Sequence, residues 1–314
     1  MKNQKLLITG ASGFVGRHVL TACVEQNYEI IAPSRQLLSR DYKGVSNPKI
    51  TNLLDICDLP QFDKSIDTII HIAGLAHRND VAVRDYNKIN SDHTLEIAKK
   101  AIEVRAKRFI FFSSIGVSGN STTRPYLESD TPSPQEDYAK SKLDAEQKLL
   151  ALSKQSGLEL IIIRPPLIYG PKAPGNFSKL LKLVKSGLPI PLGRIDNKRS
   201  FISVFNLTSF VIECIKTENI TQETFLVSDN EDISTTELLC LLYEKTGKSN
   251  RLLRVNYKLL HNCLKVIGKS DLLEKLCCNL QVNSHYSMRK LNWKPPYSVE
   301  ESLSMCELGN KGKH

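Results

Sequence analysis

The sequence has no long apolar run and no recognisable secretion signal. No stretch approaches the roughly 20 consecutive apolar residues that a membrane-spanning helix needs. The apolar residues 6–8 near the N-terminus are far too few for the core of a signal peptide. We therefore expect a cytoplasmic protein without stable membrane insertion.

Metal-binding patterns are also missing. The eight cysteines are scattered, and only Cys277 and Cys278 are close neighbours. No Cys-x-x-Cys motif or mixed His/Cys group has the spacing of a zinc site. Scattered free thiols suit a reducing compartment. We expect no structural or catalytic metal.

The charge is moderately basic. The 314 residues carry a formal net charge of +10, with some enrichment of Lys and Arg after residue 244. A nucleic-acid-binding protein would gather its charge in one patch with interleaved aromatic residues, whereas here the basic residues are spread along the chain. We expect anionic small-molecule ligands and no nucleic-acid partner.

Apolar runs alternate with helical patterns about every 30 residues in the first half of the chain. This alternation predicts an α/β fold with a doubly wound parallel sheet. The predicted strands are Lys5–Thr9, Glu29–Ala32, Asp67–Ile72, Arg108–Phe112 and Leu158–Ile163, and the predicted helices are 14–26, about 90–105 and 137–155.

The pattern becomes less regular after Arg164, where prolines are frequent. We expect a first domain over 1–170 and a smaller, mostly helical lobe over 171–314, with part of 200–228 returning to the first domain. The basic stretch Lys258–Lys275 could bind a membrane, but we interpret it as core. Further predicted elements are helices at 176–187, 234–246 and 256–280 and a strand at Thr224–Ser228.

A glycine-rich loop, "TGASGFVG" at 9–16, directly follows the first strand and opens the first helix. Glycines let the backbone approach a pyrophosphate, and the helix N-terminus offers N–H donors and partial positive charge. The strand–loop–helix context favours dinucleotide binding over a simple turn. The expected contacts are Gly10, Ser12, Gly13, Phe14, Val15 and Gly16.

The end of the second strand bears on the choice of dinucleotide. An acid there would favour NAD, and an arginine can accept the 2′-phosphate of NADP. The sequence has Arg35 and no acid, so we favour NADP(H) and keep NAD(H) as the alternative; Arg35 could also be a solvated surface residue. Asp55 could bond the adenine amino group or be a turn aspartate.

Tyr138 and Lys142 lie four residues apart at the start of a predicted helix, so they share a face. An ammonium group beside a phenol lowers the tyrosine pKa, and an oxidised nicotinamide would add to this. Such a tyrosine can move a proton near neutral pH. This spacing is common by chance. The support for a catalytic pair comes from its place in the chain, after the glycine loop and after the serines that end the strand "FFSS" (111–114).

Together these motifs resemble the extended short-chain dehydrogenase/reductases, and more narrowly the NAD-dependent epimerase/dehydratase group that acts on nucleotide sugars. The resemblance covers nearly the whole chain and implies a Rossmann-type first domain, a nucleotide-sugar-binding lobe and, by analogy, a homodimer. It rests on the glycine loop, "HIAG" (71–74), the serines 113–114, Tyr138-x-x-x-Lys142, "RPPLIYGP" (164–171), "RSFISV" (199–204) and "LNWKP" (291–295).

The resemblance implies a role for each matching position. Ser114 would bond the substrate oxygen, Tyr138 would be the general acid/base, and Lys142 would tune Tyr138 and bind the nicotinamide ribose. Asn176 and Arg199 would hold the nucleotide diphosphate, although Asn176 could instead cap a helix and Arg199 could belong to a solvated basic face. The implied cofactor-lining residues are Asp55, Ile56, Ala73, Gly74, Asn90 (alternatively a helix cap), Ser113 and Pro165.

Three histidines could suggest a different acid/base group. The resemblance implies that His71 ends a strand and has a structural role. For His71, His77 and His93 alike we expect satisfied or surface side chains rather than a catalytic base.

The resemblance also limits which reactions at the sugar C4 are expected. The 4,6-dehydratases of the group have Asp-Glu directly after the serine/threonine position, where this chain has Ile115 and Gly116. We therefore expect no dehydration. Ser118 and Leu167 replace a tyrosine and an asparagine found in 4-epimerases, and Arg35 favours NADPH.

We accordingly expect reduction of a UDP-4-keto-6-deoxy-N-acetylhexosamine, giving a UDP-N-acetylquinovosamine-type product in surface polysaccharide synthesis. The alternative is a UDP-glucose or UDP-N-acetylglucosamine 4-epimerase with tightly bound NAD. A non-catalytic dinucleotide sensor is disfavoured, because Ser114, Tyr138 and Lys142 are all present.

Overall fold

The computed structural model describes residues 4–38, 40–75, 82–266 and 276–309. Its strands are β1 (Lys5–Thr9), β2 (Glu29–Ile31), β3 (Val45–Ser46), β4 (Thr68–His71), β5 (Arg108–Phe112), β6 (Glu159–Arg164), β7 (Leu167–Tyr169), β8 (Arg199–Ser203), β9 (Gln222–Leu226) and β10 (Asp232–Ile233). Its α-helices are α1 (Phe14–Glu25), α2 (Val83–Asn87), α3 (His93–Glu103), α4 (Asp137–Ser156), α5 (Gly175–Lys185), α6 (Val204–Lys216), α7 (Thr235–Thr246), α8 (Tyr257–Val266), α9 (His285–Lys290) and α10 (Val299–Met305).

Seven strands form one parallel sheet in the order β3-β2-β1-β4-β5-β6-β9. Every residue of β4 and β5 is buried, which explains why both strands read as continuous apolar runs: central parallel strands are covered on both faces. The last strand, β9, returns from the second half of the chain and pairs with β6, with Ile162 opposite Thr224.

Helices cover both faces of this sheet. On one face α1 and α6 contribute Val19, Leu207 and Phe210 to a buried cluster that also contains Trp293. On the other face α3 and α4 pack in a second cluster, which contains Ile97, Ala145 and Leu149. This is the doubly wound, Rossmann-type architecture that the alternating pattern predicts, and the prediction is confirmed.

A smaller lobe surrounds a three-stranded sheet of order β10-β8-β7. Its own buried cluster joins Tyr169 of β7 to Phe177 of α5, Leu239 of α7 and Leu303 of α10. The mostly helical C-terminal portion agrees with the predicted lobe. Gly170, just after β7, lies against Phe14 of the first domain, since a Cβ at Gly170 would be 3.4 Å from Phe14 Cζ.

The prediction of one helix over 256–280 is wrong at its C-terminal end. The described part of α8 stops at Val266, and residues 267–275 lie outside the described ranges. Leu280 exchanges backbone hydrogen bonds with Lys198 and Ser200, and Val282 forms a bridge with Tyr126. These partners are far away in sequence, so helical spacing alone could not reveal them.

The interpretation of Lys258–Lys275 as core is only partly right. Leu260 is buried, whereas Leu259 is 60% exposed; most of the stretch lies outside the described side chains. Within the described ranges, no helix has the length and apolar character needed to cross a membrane. The same ranges contain no group of three or more His, Cys, Asp or Glu side chains that could hold a metal ion.

Candidate active site

The predicted site residues gather where the parallel strands end. The order in which strands are added reverses between β1 and β4, because β2 and β3 lie on one side of β1 and the later strands lie on the other. Ligands of open α/β sheets bind in the crevice at such a switch point, beyond the carboxyl ends of the strands. The loops after β1, β4 and β5 carry Gly10, Gly74 and Ser114 to this edge.

The glycine loop leaves no room for side chains. Gly10 has φ +73°, and a Cβ there would lie 2.8 Å from the backbone nitrogen of Ala73. A Cβ at Gly16 would lie 2.0 Å from the carbonyl oxygen of Gly10. Helix α1 begins with no side-chain cap on its first N–H groups. The loop therefore presents open donors at a helix N-terminus, which fits a dinucleotide phosphate.

The connection after β2 contains no carboxylate at residues 32–35. Ser34 is buried and accepts a hydrogen bond from Asn47 Nδ2 at 2.8 Å. Arg35 is exposed, and Arg17 is half-buried with an Nε that has no hydrogen-bond partner among the described residues. This edge can therefore offer positive charge to an adenosine ribose, but no acid for its 2′-hydroxyl.

Asp55 lies in a short 3₁₀ helix, Leu53–Asp58, and completes a capping box with the N-cap residue Asn52. Its Oδ2 accepts hydrogen bonds from the backbone N–H of Thr51 at 2.7 Å and of Asn52 at 3.0 Å. The Asn52 and Thr51 bonds hold the pKa of this carboxyl below its usual value. Ile56 is fully buried beside it. The carboxylate thus has a structural task, and contact with adenine stays a prediction.

Asn90 connects the loop after β4 to the helix that carries the tyrosine. It is buried in a π-helical turn, Lys88–Asp92. Its Oδ1 accepts from the Leu75 N–H at 2.7 Å, and its Nδ2 donates to Ser141 Oγ at 3.1 Å. Asn90 is therefore not a helix cap. A Cβ at Gly74 would lie 2.8 Å from Asn90 Oδ1 and 3.4 Å from Lys142 Nζ.

Lys142 is buried and its ammonium is held by the end of β5. Its Nζ donates to the carbonyl oxygen of Phe112 at 2.8 Å and lies 4.6 Å from the centroid of the Phe111 ring. Burial lowers the pKa of Lys142 to about 8, and the nearby carboxylate of Glu146 partly opposes this shift. The group is thus a cation with little hydration at the floor of the site.

Tyr138 lies at the start of α4, and its ring meets that of Tyr86 edge to face, with centroids 6.1 Å apart. Burial, with a smaller contribution from Tyr86, raises the pKa of Tyr138 to about 12. The expectation of a lowered tyrosine pKa is therefore wrong for the chain's own groups. Lys142 donates to the Phe112 carbonyl, and desolvation is the main cause of the Tyr138 shift.

The two serines after β5 have different surroundings. Ser114 caps a 3₁₀ turn, Ile115–Val117, and its Oγ accepts from the Gly116 N–H at 3.1 Å. Ser113 is 5% exposed, and its Oγ has no hydrogen-bond partner among the described residues. An unpaired buried hydroxyl is costly; a ligand that supplied a partner would remove that cost, so Ser113 fits the predicted cofactor lining.

Two neighbouring positions clarify the chemistry. A Cβ at Gly116 would lie 3.4 Å from both Ser114 Oγ and Ala139 Cβ, so Ser114 lies close to the start of α4. The Ile115 N–H donates to the carbonyl oxygen of Pro165 at 3.0 Å, which brings that proline to the same edge. Since Ile115 and Gly116 have no ionisable group, this turn supplies no acid or base for dehydration.

Ser118 does not help to choose between epimerisation and reduction. It is 2% exposed, and its Oγ lies 3.4 Å from Arg164 Nη1. Arg164 in turn bonds the buried carboxylate of Glu146 through Nε at 2.9 Å and through Nη2 at 2.5 Å. Ser118 belongs to this buried polar group behind the site. The pair was not predicted from the sequence, although Glu146 follows Lys142 by one helical turn.

The proposed diphosphate residues lie on the smaller lobe. Asn176 is exposed in the first turn of α5, whose N-cap is Pro174, so Asn176 is not the cap. Arg199 is half-buried at the start of β8, and its Nη1 donates to the Cys278 carbonyl at 2.9 Å. Burial lowers the pKa of Arg199. The Cys278 contact was not predicted, because 79 residues separate the partners.

His71 is a structural histidine, as predicted. Its ring nitrogens lie 3.0 Å from the hydroxyls of Thr9 and Thr94, and burial lowers its pKa to about 3. His93 is half-buried, and burial lowers its pKa as well. His77 lies outside the described residues.

Comparison with known proteins identifies related sequences. A family model described as "NAD dependent epimerase/dehydratase family" matches residues 6–227. The chain is 35% identical over 311 residues to a UDP-glucose 4-epimerase of Vibrio cholerae, covering 96% of this chain and 93% of that protein. It is 27% identical to an N-acetyl-α-D-glucosaminyl-diphospho-ditrans,octacis-undecaprenol 4-epimerase of Escherichia coli O157:H7, with coverage of 96% and 93%.

The fold has close counterparts among solved structures. A UDP-glucuronic acid 4-epimerase from Bacillus cereus, in complex with NAD, superposes with a TM-score of 0.78 over 97% of this chain and 95% of that one. Because the two sequences are only 18% identical, this likeness shows a common fold and no more.

Proposed function

This chain belongs to the NAD-dependent epimerase/dehydratase family, and on that premise we propose that it is a 4-ketoreductase acting on a UDP-4-keto-6-deoxy-N-acetylhexosamine. The observation that carries the proposal is the connection after β2, where Arg35 is exposed and residues 32–35 contain no carboxylate, which suits a phosphorylated cofactor consumed in each turnover. A reduction needs a proton donor that begins protonated. Burial keeps Tyr138 in that state at neutral pH.

The chain's own residues have complementary tasks in this reaction. Tyr138 donates its phenolic proton to the 4-oxygen of the sugar, and Ser114 hydrogen-bonds the same oxygen as negative charge develops there. The Lys142 ammonium, fixed by the Phe112 carbonyl, then stabilises the phenolate that remains. Interactions with the distant nucleotide hold the sugar in place and add to the rate through orientation.

The residues around the crevice fit a nicotinamide dinucleotide. Gly10 and Gly16 leave the backbone bare where a pyrophosphate would bind, and the Ser113 hydroxyl lacks a partner among the described residues. Lys142, close to Gly74, would bond the nicotinamide ribose. When bound in its reduced form, the dinucleotide supplies the hydride that C4 receives.

We favour NADPH over NADH because the connection after β2 has the exposed Arg35 and no carboxylate. A guanidinium group suits a 2′-phosphate, whereas a 2′-hydroxyl is usually bonded by an acid. A cofactor consumed in each turnover agrees with net reduction. Arg199 on the lobe would hold the UDP diphosphate, for which a partly buried guanidinium is well suited.

A second candidate, a UDP-sugar 4-epimerase, is favoured by the relatives. The proteins that match this chain at 35% and 27% identity both have names that end in 4-epimerase. In that reaction Tyr138 would first remove a proton, and the positive charge of an oxidised nicotinamide would have to lower its pKa. Ser118, which faces Arg164, does not argue against this candidate.

One assay distinguishes the two candidates. Purified protein is mixed with NADPH and a UDP-4-keto-6-deoxy-N-acetylhexosamine, and the loss of reduced nicotinamide is followed against product formation. The reductase consumes one NADPH for each 4-hydroxy product. Interconversion of UDP-GlcNAc and UDP-GalNAc with no change in total nicotinamide would show the epimerase instead.

Replacement of the tyrosine tests the site in either case. Tyr138→Phe should reduce turnover by a factor of about 10² or more, the usual contribution of a general acid/base, while dinucleotide binding persists. The matched control is Tyr126→Phe, which removes the phenol that bonds the Ser121 carbonyl at 2.7 Å. If Tyr138→Phe retains full activity, the site is misassigned.

A further inference from the structure

Several large apolar side chains of the smaller lobe are exposed to solvent. Leu188 is 61% exposed, Leu253 is 50% exposed and Leu259 is 60% exposed, and Leu183 near the end of α5 is 36% exposed. Single exposed leucines need no explanation, but a group of them usually marks an interaction site. These four lie in only two segments of the chain, 183–188 and 253–259.

Backbone contacts bring the two segments together. The Leu253 N–H donates to the Ile190 carbonyl at 2.8 Å, and the Ile190 N–H donates to the Arg251 carbonyl at 3.0 Å. Val184, Ile190 and Leu260 belong to one buried cluster. Each exposed leucine therefore lies within two residues of a buried or half-buried apolar neighbour, so the fold already has its core and these side chains are additional.

The positive charge of the chain is concentrated around the same segments. Residues 172–198 contain six Lys/Arg and one Asp, and residues 245–265 contain six Lys/Arg and no acid. Together these stretches carry a net charge of +11, whereas the whole chain carries +10, so the rest of the chain is close to neutral. The enrichment after residue 244 is therefore joined by a second basic stretch over 172–198.

The basic side chains beside the leucines are available for an external partner. Lys182, Lys185, Arg251 and Arg254 are all exposed. In the described parts of the chain, no ion pair joins any of the four to an acid. We call Leu183, Leu188, Leu253 and Leu259, with these four cations, the basic–apolar face.

We infer that the basic–apolar face binds the surface of an anionic lipid bilayer. Leucines that enter the headgroup region bury apolar surface there, and nearby Lys and Arg side chains are attracted to acidic lipids. A second copy of the chain suits the face poorly, because a two-fold interface would place these cations against one another. Such surface binding differs from insertion and needs no spanning helix.

Vesicle sedimentation tests the inference. The full-length protein should sediment with phosphatidylglycerol-containing vesicles and stay in solution with pure phosphatidylcholine, and salt should weaken the binding. Lys182→Glu with Lys185→Glu reverses two charges and should lower the partition coefficient roughly a hundredfold. Leu188→Ser with Leu253→Ser should lower it at least about tenfold.

The matched control changes one exposed leucine and one exposed lysine of the first domain, Leu37→Ser with Lys64→Glu, and should bind vesicles like the parent. Circular dichroism checks that each variant is folded. The inference is overturned if the parent does not bind anionic vesicles or if the charge-reversed variant binds them equally well. It is also overturned if the only effect of the leucine substitutions is to dissociate a dimer, or if the only effect of charge reversal is slower turnover of soluble UDP-sugar.

Discussion

Lys142 Nζ donates a hydrogen bond to the carbonyl oxygen of Phe112 at 2.8 Å. This bond fixes the ammonium of α4 to the last residue of β5, directly before the serines that line the site. It explains why Lys142 can remain charged although it is only 4% exposed. The arrangement has a cost, because a buried ammonium is poorly solvated, and the cost can be measured.

Lys142→Met should stabilise the fold while it abolishes activity. The pKa of Lys142 is lowered from 10.5 to about 8, so folding opposes the charged form. At about 1.4 kcal/mol for each pKa unit, the substitution removes a penalty of roughly 3 kcal/mol. Loss of the hydrogen bond to Phe112 offsets about 1 kcal/mol of this gain in stability. We expect urea unfolding at pH 7 to show a gain of about 2 kcal/mol.

The pH dependence of that gain has a definite sign. The unfolded chain binds the proton more tightly than the native chain, so the penalty is complete below about pH 8 and disappears as pH rises to about 10.5. The difference between Lys142→Met and the parent should therefore shrink across this window. Lys140→Met, an exposed position on the same helix, is the control, and an equal effect there would contradict the argument.

Glu146→Gln should strongly destabilise the protein. The side chains of Arg164 and Glu146 are only 7% and 2% exposed, and removal of one partner leaves a buried charge uncompensated, at a cost of about 3–5 kcal/mol. Glu96→Gln, at the exposed pair with Lys99, should change the free energy of unfolding by less than about 0.5 kcal/mol. Similar values for both variants would refute a special role for the buried pair.

Glu146→Gln should also alter the pH–rate profile. The Glu146 carboxylate raises the pKa of Lys142 against the larger effect of burial, so its neutralisation should lower that pKa further. The alkaline limb of kcat/KM is then expected to move to lower pH in the fraction that stays folded. An unchanged limb would mean that Lys142 does not control it.

Gly16→Ala should impair dinucleotide binding without direct contact with the reacting atoms. The new Cβ would lie 2.0 Å from the Gly10 carbonyl oxygen, so the loop backbone must shift. At Gly13 the corresponding distance is 3.2 Å, and Gly13→Ala should cost less stability. Calorimetric titration with NADPH should show at least about tenfold weaker binding for Gly16→Ala; unchanged affinity would remove the loop from the site.

Arg35→Asp should reverse the cofactor preference. The substitution removes the proposed partner of the 2′-phosphate and introduces an acid for a 2′-hydroxyl. We expect the Kd for NADPH to rise at least about tenfold and that for NADH to fall or stay constant. Arg40→Asp, at an exposed arginine stacked on Tyr42, is the control. A parent protein that binds NADH more tightly than NADPH would show that the cofactor prediction is wrong.

The sequence by itself determined the doubly wound sheet, the position of the glycine loop and the pairing of Tyr138 with Lys142 on one helix, because these depend on patterns within a few neighbouring residues. Only the tertiary structure decided that Asn90 joins Leu75 to Ser141, that the Cys278 carbonyl holds Arg199, and that Leu259 faces solvent. Their partners are distant in the chain, 51 residues for Asn90 and Ser141 and 79 for Arg199 and Cys278. Tertiary structure also decided the direction of the pKa shifts: burial raises the pKa of Tyr138 and lowers that of Lys142, and the degree of burial depends on what the whole fold packs around each side chain.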